Sequence, residues 1–333
     1  MNSFFDAISS LVADMTPKTR SANAEYVVTA PTLQVLSPPV CWNWQPTAGS
    51  QIPFNQFNFC DTMPQNVLDK NYTAGDSFTT AYSSFLQLIN LDTFPLDTLA
   101  KANIVINDEP SIPVYSPAPD GWVVIKNNAH LLQWSRIWNL SQTPINWLAS
   151  ISTQENKPTN IVFEDPGTKI QTSNGDIIPV NDESQMKITA NAVGRVRVTP
   201  GKWYNSSLIR IAETDDNYLK VPANSIFGNS GIINSRIVEI IVAFNPTPYV
   251  VLKKTDVKNL NDSSFTNLSV GGFTFTNQPD LVSEKTVVVE DVEFILSSLN
   301  KEEVQLTTKT KTKLDIDNLF IVAVILEEFN APA

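Results

Sequence analysis

Apolar positions along this chain first follow helical spacing and then, past the middle, fall into short alternating runs. Over residues 3–15, Phe4, Ile8, Leu11, Val12 and Met15 recur near helical intervals, while Asp6, Ser10 and Asp14 lie elsewhere. This predicts a short amphipathic helix that Pro17 stops. With the TPKTRSANAE stretch behind it, the helix forms an arm over residues 1–24. Such an arm either docks on its own domain or packs on a neighbour, and Phe4, Ile8 and Leu11 are its candidate contact residues.

Residues 25–37 read as a strand broken by Pro31, and residues 38–64, rich in Pro, Asn and aromatics, as irregular chain. The best internal helix covers 76–90. Asp76 or Ser77 caps it, and Phe78, Ala81, Tyr82, Phe85, Leu86 and Ile89 line one face. A shorter helix is predicted from Pro95 to Asn103. Leu131, Trp134 and Trp138 keep helical spacing, which predicts one or two helices within 121–152.

From about residue 159 strand-like runs alternate with turn signals at 174–176, 200–201 and 271–272. Val193, Val196, Val198, Ile209, Ile211, Ile237, Ile240, Val242, Phe244, Val250 and Leu252 supply residues suited to strands. The last run, Asn318 to Leu326, is continuously apolar, which predicts a strand buried on both faces. The expected fold is mainly β, with a few helices in the N-terminal half and a C-terminal antiparallel β-sandwich or irregular barrel. The expected organisation is an arm at 1–24, a mixed α+β region at 25–155, and an all-β domain at 156–333.

Composition sharpens the functional side. Of 333 residues, 17% are charged, below the roughly 25% usual for soluble domains, and Asn, Ser and Thr take the polar positions instead. A net charge of −11 repels phosphate backbones, so no nucleic-acid partner is expected. Asp6, Ser9, Ser10 and Asp14 interrupt the first apolar run and no basic residue precedes it, so the chain is expected in the cytoplasm, or exported without a cleaved leader.

Few chemistry-bearing constellations emerge. His130 is the single histidine, without a GxSxG elbow, and the two cysteines, Cys41 and Cys60, lack metal-ligand spacing. No cofactor, metal or catalytic residue is assigned. Carboxylates remain: Asp215 and Asp216 in ETDDN, and Glu290, Asp291 and Glu293 in VEDVEF, where alternation puts only Asp291 and Glu293 on one face. Trp42, Trp44 and Trp203 stand among Asn and Tyr as candidate stacking platforms for a sugar, or as core filler.

Two further segments carry local information. Period-two alternation places Lys309, Lys311 and Lys313 on one strand face and Thr308, Thr310 and Thr312 on the other. These lysines either protect a strand edge or meet an acidic surface, such as another copy of the chain. Ser263 to Thr276 carries no charge and has the texture of one half of a membrane hairpin, but the VSEKTVVVEDVEF stretch downstream is too charged for lipid. The leading expectation is a non-enzymatic structural or interaction protein that self-associates through strand edges or its N-terminal helix. A carbohydrate-binding or β-pore-forming protein is the alternative, and a carboxylate-based hydrolase the third reading.

Overall fold

The computed structural model describes residues 6–8, 10, 32–41, 59–95, 115–118, 125–126, 131–132, 159–163, 168–178, 180, 186–200, 204–270, 273–278, 287–289, 291–310 and 319–331. The fold is mostly β and sandwich-like, and no barrel closes among these residues. The larger sheet has β1 (Thr32–Cys41), β17 (Leu319–Glu328), β11 (Ser235–Lys253), β10 (Met186–Pro200) and β4 (Tyr115–Ala118) side by side in that order. On the same long strands, β7 (Thr159–Phe163) pairs with the start of β10, and β16 (Glu303–Thr310) with the end of β11. The strand β15 (Val292–Ser298) flanks β16. A second sheet runs β14 (Val287–Val289), β13 (Phe273–Thr276), β12 (Phe265–Val270), β8 (Lys169–Thr172), β9 (Ile177–Ile178). Two small pairs complete the strands: β2 (Thr62–Pro64) with β3 (Ala74–Ser77), and β5 (Ile125–Lys126) with β6 (Leu131–Leu132). Among the described residues these strands pair antiparallel to one another except β13 with β14; isolated parallel bridges join Val35 of β1 to Asn71 and Phe227 to Ile233.

The apolar run near the C-terminus is buried on both faces, as its lack of alternation predicts. Ile321, Val324 and Leu326 of β17 face a helical layer, while Phe320, Val322, Ala323 and Ile325 face the second sheet. At roughly 1.5–3 kcal/mol for each fully buried side chain, this strand is a major source of stability. The helical layer consists of α1 (Phe78–Leu88), α2 (Ser206–Ala212) and single turns of 3-10 helix around Asp216–Tyr218 and Ala223–Ser225. Ser77 caps α1 by accepting from the Thr80 N–H, and Phe78, Ala81, Tyr82, Phe85 and Ile89 are buried, in agreement with the predicted face. Both sides of the texture change near residue 155 contribute to this sheet and this layer: β1 pairs with β17, and α1 packs with α2.

The β10–β11 ribbon serves both layers by reversing its faces. Along β11, Ile240 and Val242 point to the helical layer, and Ile241 and Ala243 to the second sheet. Seven residues on, Val250 and Leu252 also point to the second sheet, although unbroken alternation would group them with Val242. The partner strand reverses with it, since Met186, Ile188 and Ala190 face the second sheet and Val198 the helices. Asn245 lies at the reversal with φ 49, a left-handed backbone that Asn tolerates better than most residues. Pro246 and Pro248 follow it, on the stretch of β11 that neither β17 nor β16 pairs with, so their missing N–H groups cost no ladder bond there.

Three local expectations are corrected. Ile209 and Ile211, read as strand residues, lie in α2, where the Asn205 side chain accepts from the Ser207 N–H and Leu208, Ile209 and Ala212 form a helical stripe. Here a cap and tertiary burial outweigh β-branched propensity. The irregular chain expected from residue 38 instead continues β1 to Cys41. Prolines are tolerated because β1 is at the sheet margin and its register shifts between Val35 and Val40. Leu131, expected on a helix, pairs in β6 with Lys126. The helix expected at Pro95–Asn103 lies outside the described residues beyond Pro95.

Candidate functional site

Two places combine exposed or polar groups in a way the fold alone does not require. The first is the outer side of β15. This strand pairs with β16 over seven residues, from Val292 opposite Thr310 to Ser298 opposite Val304. Among the described residues no strand lies on its other side. Leu296 directs its N–H away from β16 and gives it to the Asp262 carboxylate at 2.7 Å. By strand alternation the N–H groups of Val292, Phe294 and Ser298 point the same way. Val292 and Phe294 bury their side chains against the second sheet, while Glu293, Ser297 and Ser298 are exposed. The edge is thus fixed in place by its core residues and carries polar groups on the solvent face.

Lys309 belongs to this region. It is exposed on β16 directly across from Glu293, and Thr308 is buried, so the predicted alternation of Lys and Thr holds at these two residues. Over Val304–Thr307 the strand is interior, with β11 on one side and β15 on the other. Lys311 and Lys313 lie outside the described residues.

The second place is where the C-terminal segment meets α2. Arg236 on β11 lies opposite Glu327 on β17, and its Nε donates to Glu327 Oε2 at 2.6 Å. The guanidinium also sits over the Tyr204 ring at 5.1 Å, a cation–π arrangement. Tyr204 packs on Phe78 and Tyr82, with centroids 5.7 and 5.2 Å away. Burial holds the Tyr204 phenol above its ordinary value, and the Arg236 charge opposes that shift. Glu213, just past α2, accepts the Asn330 N–H at 2.8 Å. Burial raises the Glu213 carboxyl above the usual range; the Asn330 N–H opposes this, the Glu327 charge adds to it, and Arg210 opposes it.

Sequence reasoning selected Asp215 and Asp216 from ETDDN, but the structure gives them backbone tasks. Asp215 accepts from the Asn217 N–H and Asp216 from the Ala223 N–H. The acid of that motif with long-range partners is its first, Glu213, which accepts the Asn330 N–H and feels the Glu327 charge. Nothing local marks it, because its partners come from residues 327 and 330. Asp291 adopts φ 55 ahead of β15 and Glu293 is exposed on that strand, while Glu290 lies outside the described residues. Among the described residues no group of three or more His, Cys, Asp and Glu side chains gathers as a metal site would.

The other candidates are placed as follows. Ile8 is fully buried in the core between the two sheets, so this side chain docks on its own chain; Phe4 and Leu11 lie outside the described residues. So do Trp42, Trp44, Trp203 and His130. Ser263 to Thr276 supplies β12 and β13, adjacent strands of the second sheet. Phe265, Leu268, Val270, Phe273 and Phe275 face the core, and the opposite side is a polar ladder in which Asn267 bonds Gln171 and Thr276, and Ser269 bonds Thr274. A membrane hairpin made from it would have to withdraw those five apolar side chains from the core, at roughly 1.5–3 kcal/mol each. No helix among the described residues is long and apolar enough to cross a membrane.

Cys60 is a free, buried thiol that burial, and secondarily the Asp61 charge, push up to about 12. A thiol so protonated is a poor nucleophile. The chain matches no protein-family model, no curated protein and no solved structure.

Proposed function

We propose that this is a non-enzymatic structural or interaction protein that associates with further copies of itself, and that the outer edge of β15 is the contact. The supporting observation is the one-sided pairing of β15: among the described residues no strand takes its outward N–H groups at Val292, Phe294 and Ser298. Unpaired edge groups of this kind template strand addition. The strand is also compatible with its own copy. In an antiparallel pairing centred on Ile295, Glu293 meets Ser297 of the second copy, so no like charges face each other.

Light scattering on a sizing column tests the reading. The full chain is expected to run as a discrete oligomer. Ser298→Pro removes an outward N–H without touching the β16 ladder, and Ser297→Glu sets a carboxylate against Glu293 of the second copy; both are expected to shift the protein toward its ~37 kDa monomer. A full chain that is strictly monomeric at all concentrations overturns the proposal.

A further inference from the structure

We propose that the loop joining β2 to β3 is a cover that closes the outer edge of β1 to strands of a second copy, with Gln34 as the residue that positions it. β1 has β17 on one side. On its other side Val35 meets Asn71 as a parallel bridge. The Val35 N–H goes to the Lys70 carbonyl at 2.9 Å, and the Val35 carbonyl accepts the Tyr72 N–H at 2.9 Å. Residues 70–72 thus take the donor and the acceptor that an added strand would use there. Farther along β1, Pro38 and Pro39 have no N–H to offer.

The loop has little apolar grip of its own. Leu68, Asp69, Lys70 and Asn71 are exposed, and between Gln65 and Thr73 only Val67 and Tyr72 are buried. Its internal bonds, from the Leu68 N–H to Asn66 Oδ1 and from Asn66 Nδ2 to Asp69 Oδ1, shape it without tying it to the sheet. Gln34 supplies that tie. Its Nε2 donates to the Asn66 carbonyl at 2.9 Å and to the Asp69 carbonyl at 2.7 Å, so both amide hydrogens hold the loop just ahead of Lys70. Asn229 adds a staple from the side, its Oδ1 accepting the Val67 N–H at 3.0 Å.

Gln34 is fully buried, and its Oε1 has no hydrogen-bond partner among the described residues. An apolar side chain on β1 would avoid that desolvation cost, but it could not satisfy two loop carbonyls. Holding the loop is what the amide contributes. A copy able to pair through β1 as well as β15 would grow into an open chain instead of closing on itself. That consequence rests on the β15 reading above; the closing of β1 does not.

Gln34→Met nearly keeps the side-chain length and removes both donors. Hydrogen exchange at the Val35 and Tyr72 amides of the full chain is expected to quicken severalfold. Light scattering over a dilution series is expected to show species larger than the wild type that grow with concentration. Asn229→Ala, at an exposed position, loosens the same loop without touching β1 and is expected to act in the same direction more weakly, which keeps the test open should Gln34→Met fail to fold. Both changes are repeated on Ser298→Pro, which blocks β15. Association there, where Ser298→Pro alone is monomeric, supports the cover. A monomeric wild type beside an associating Gln34→Met overturns the β15 reading and leaves the cover standing. Amides that loosen with no change in mass on either background overturn the cover. Val35 and Tyr72 amides as protected in Gln34→Met as in the wild type overturn the role of Gln34.

Discussion

Asp262 reaches across the outer side of β15 and takes the Leu296 N–H at 2.7 Å. A carboxylate placed on a strand edge in this way occupies a donor that another strand would need. The same residue opens the single 3-10 turn at Asp262–Ser264, so the guard is held by the chain just ahead of β12.

Asp262→Ala is therefore expected to cost the fold little and to strengthen association through β15. Replacing a hydrogen bond that an incoming strand must break favours the oligomer by about 1 kcal/mol. Sedimentation or light scattering over a dilution series checks this. A midpoint unmoved or shifted toward monomer would remove Asp262 from the role of edge guard.

Phe273 of β13 and Phe320 of β17 meet edge to face across the two sheets, with centroids 5.3 Å apart and an interplanar angle of 88°. Both are buried. Each Phe→Ala change is expected to destabilise by about 3–5 kcal/mol. A double-mutant cycle in urea should return a coupling of roughly 0.5–1.5 kcal/mol, since the aromatic pairing is lost only once. A coupling of zero would mean that the sheets are joined by area alone.

The Cys60 thiol should resist alkylation in the native protein at pH 8 and react freely once the chain is unfolded. Burial pushes it up to about 12, so little thiolate exists and little of it is reachable. Mass spectrometry of a Cys41→Ser variant treated with iodoacetamide, with and without denaturant, checks this. Rapid native labelling would contradict the buried position.

How much of this is legible in the sequence depends on where each residue's partners lie. β17 and α1 are legible because unbroken apolarity and a capped helical stripe are local signals. The continuation of β1 through Pro38 and Pro39 is not, since tolerance of proline there depends on the strand being marginal in its sheet. α2 is missed for a related reason: Ile209 and Ile211 have strand propensity, and the Asn205 cap with burial in the helical layer decides otherwise. The bond between Glu213 and the Asn330 N–H is wholly long-range, spanning 117 residues. The edge of β15 is only half legible. Alternation through Asp291 and Glu293 implies extended chain there, but whether the strand has one neighbour or two is a matter of topology.

The position of β17 between β1 and β11 has a bearing on how the protein is made. β1 is synthesised well before its partner, which follows only with residues 319–328. Until those residues leave the ribosome, β1 and the first half of β11 both lack their neighbour in the finished sheet, and the apolar surfaces of both layers lack the strand that lies between them. Closure across so long a separation implies a high contact order and slow folding. The nascent protein must therefore stay soluble through a period with two open strand edges, when premature encounter between growing chains is its main hazard.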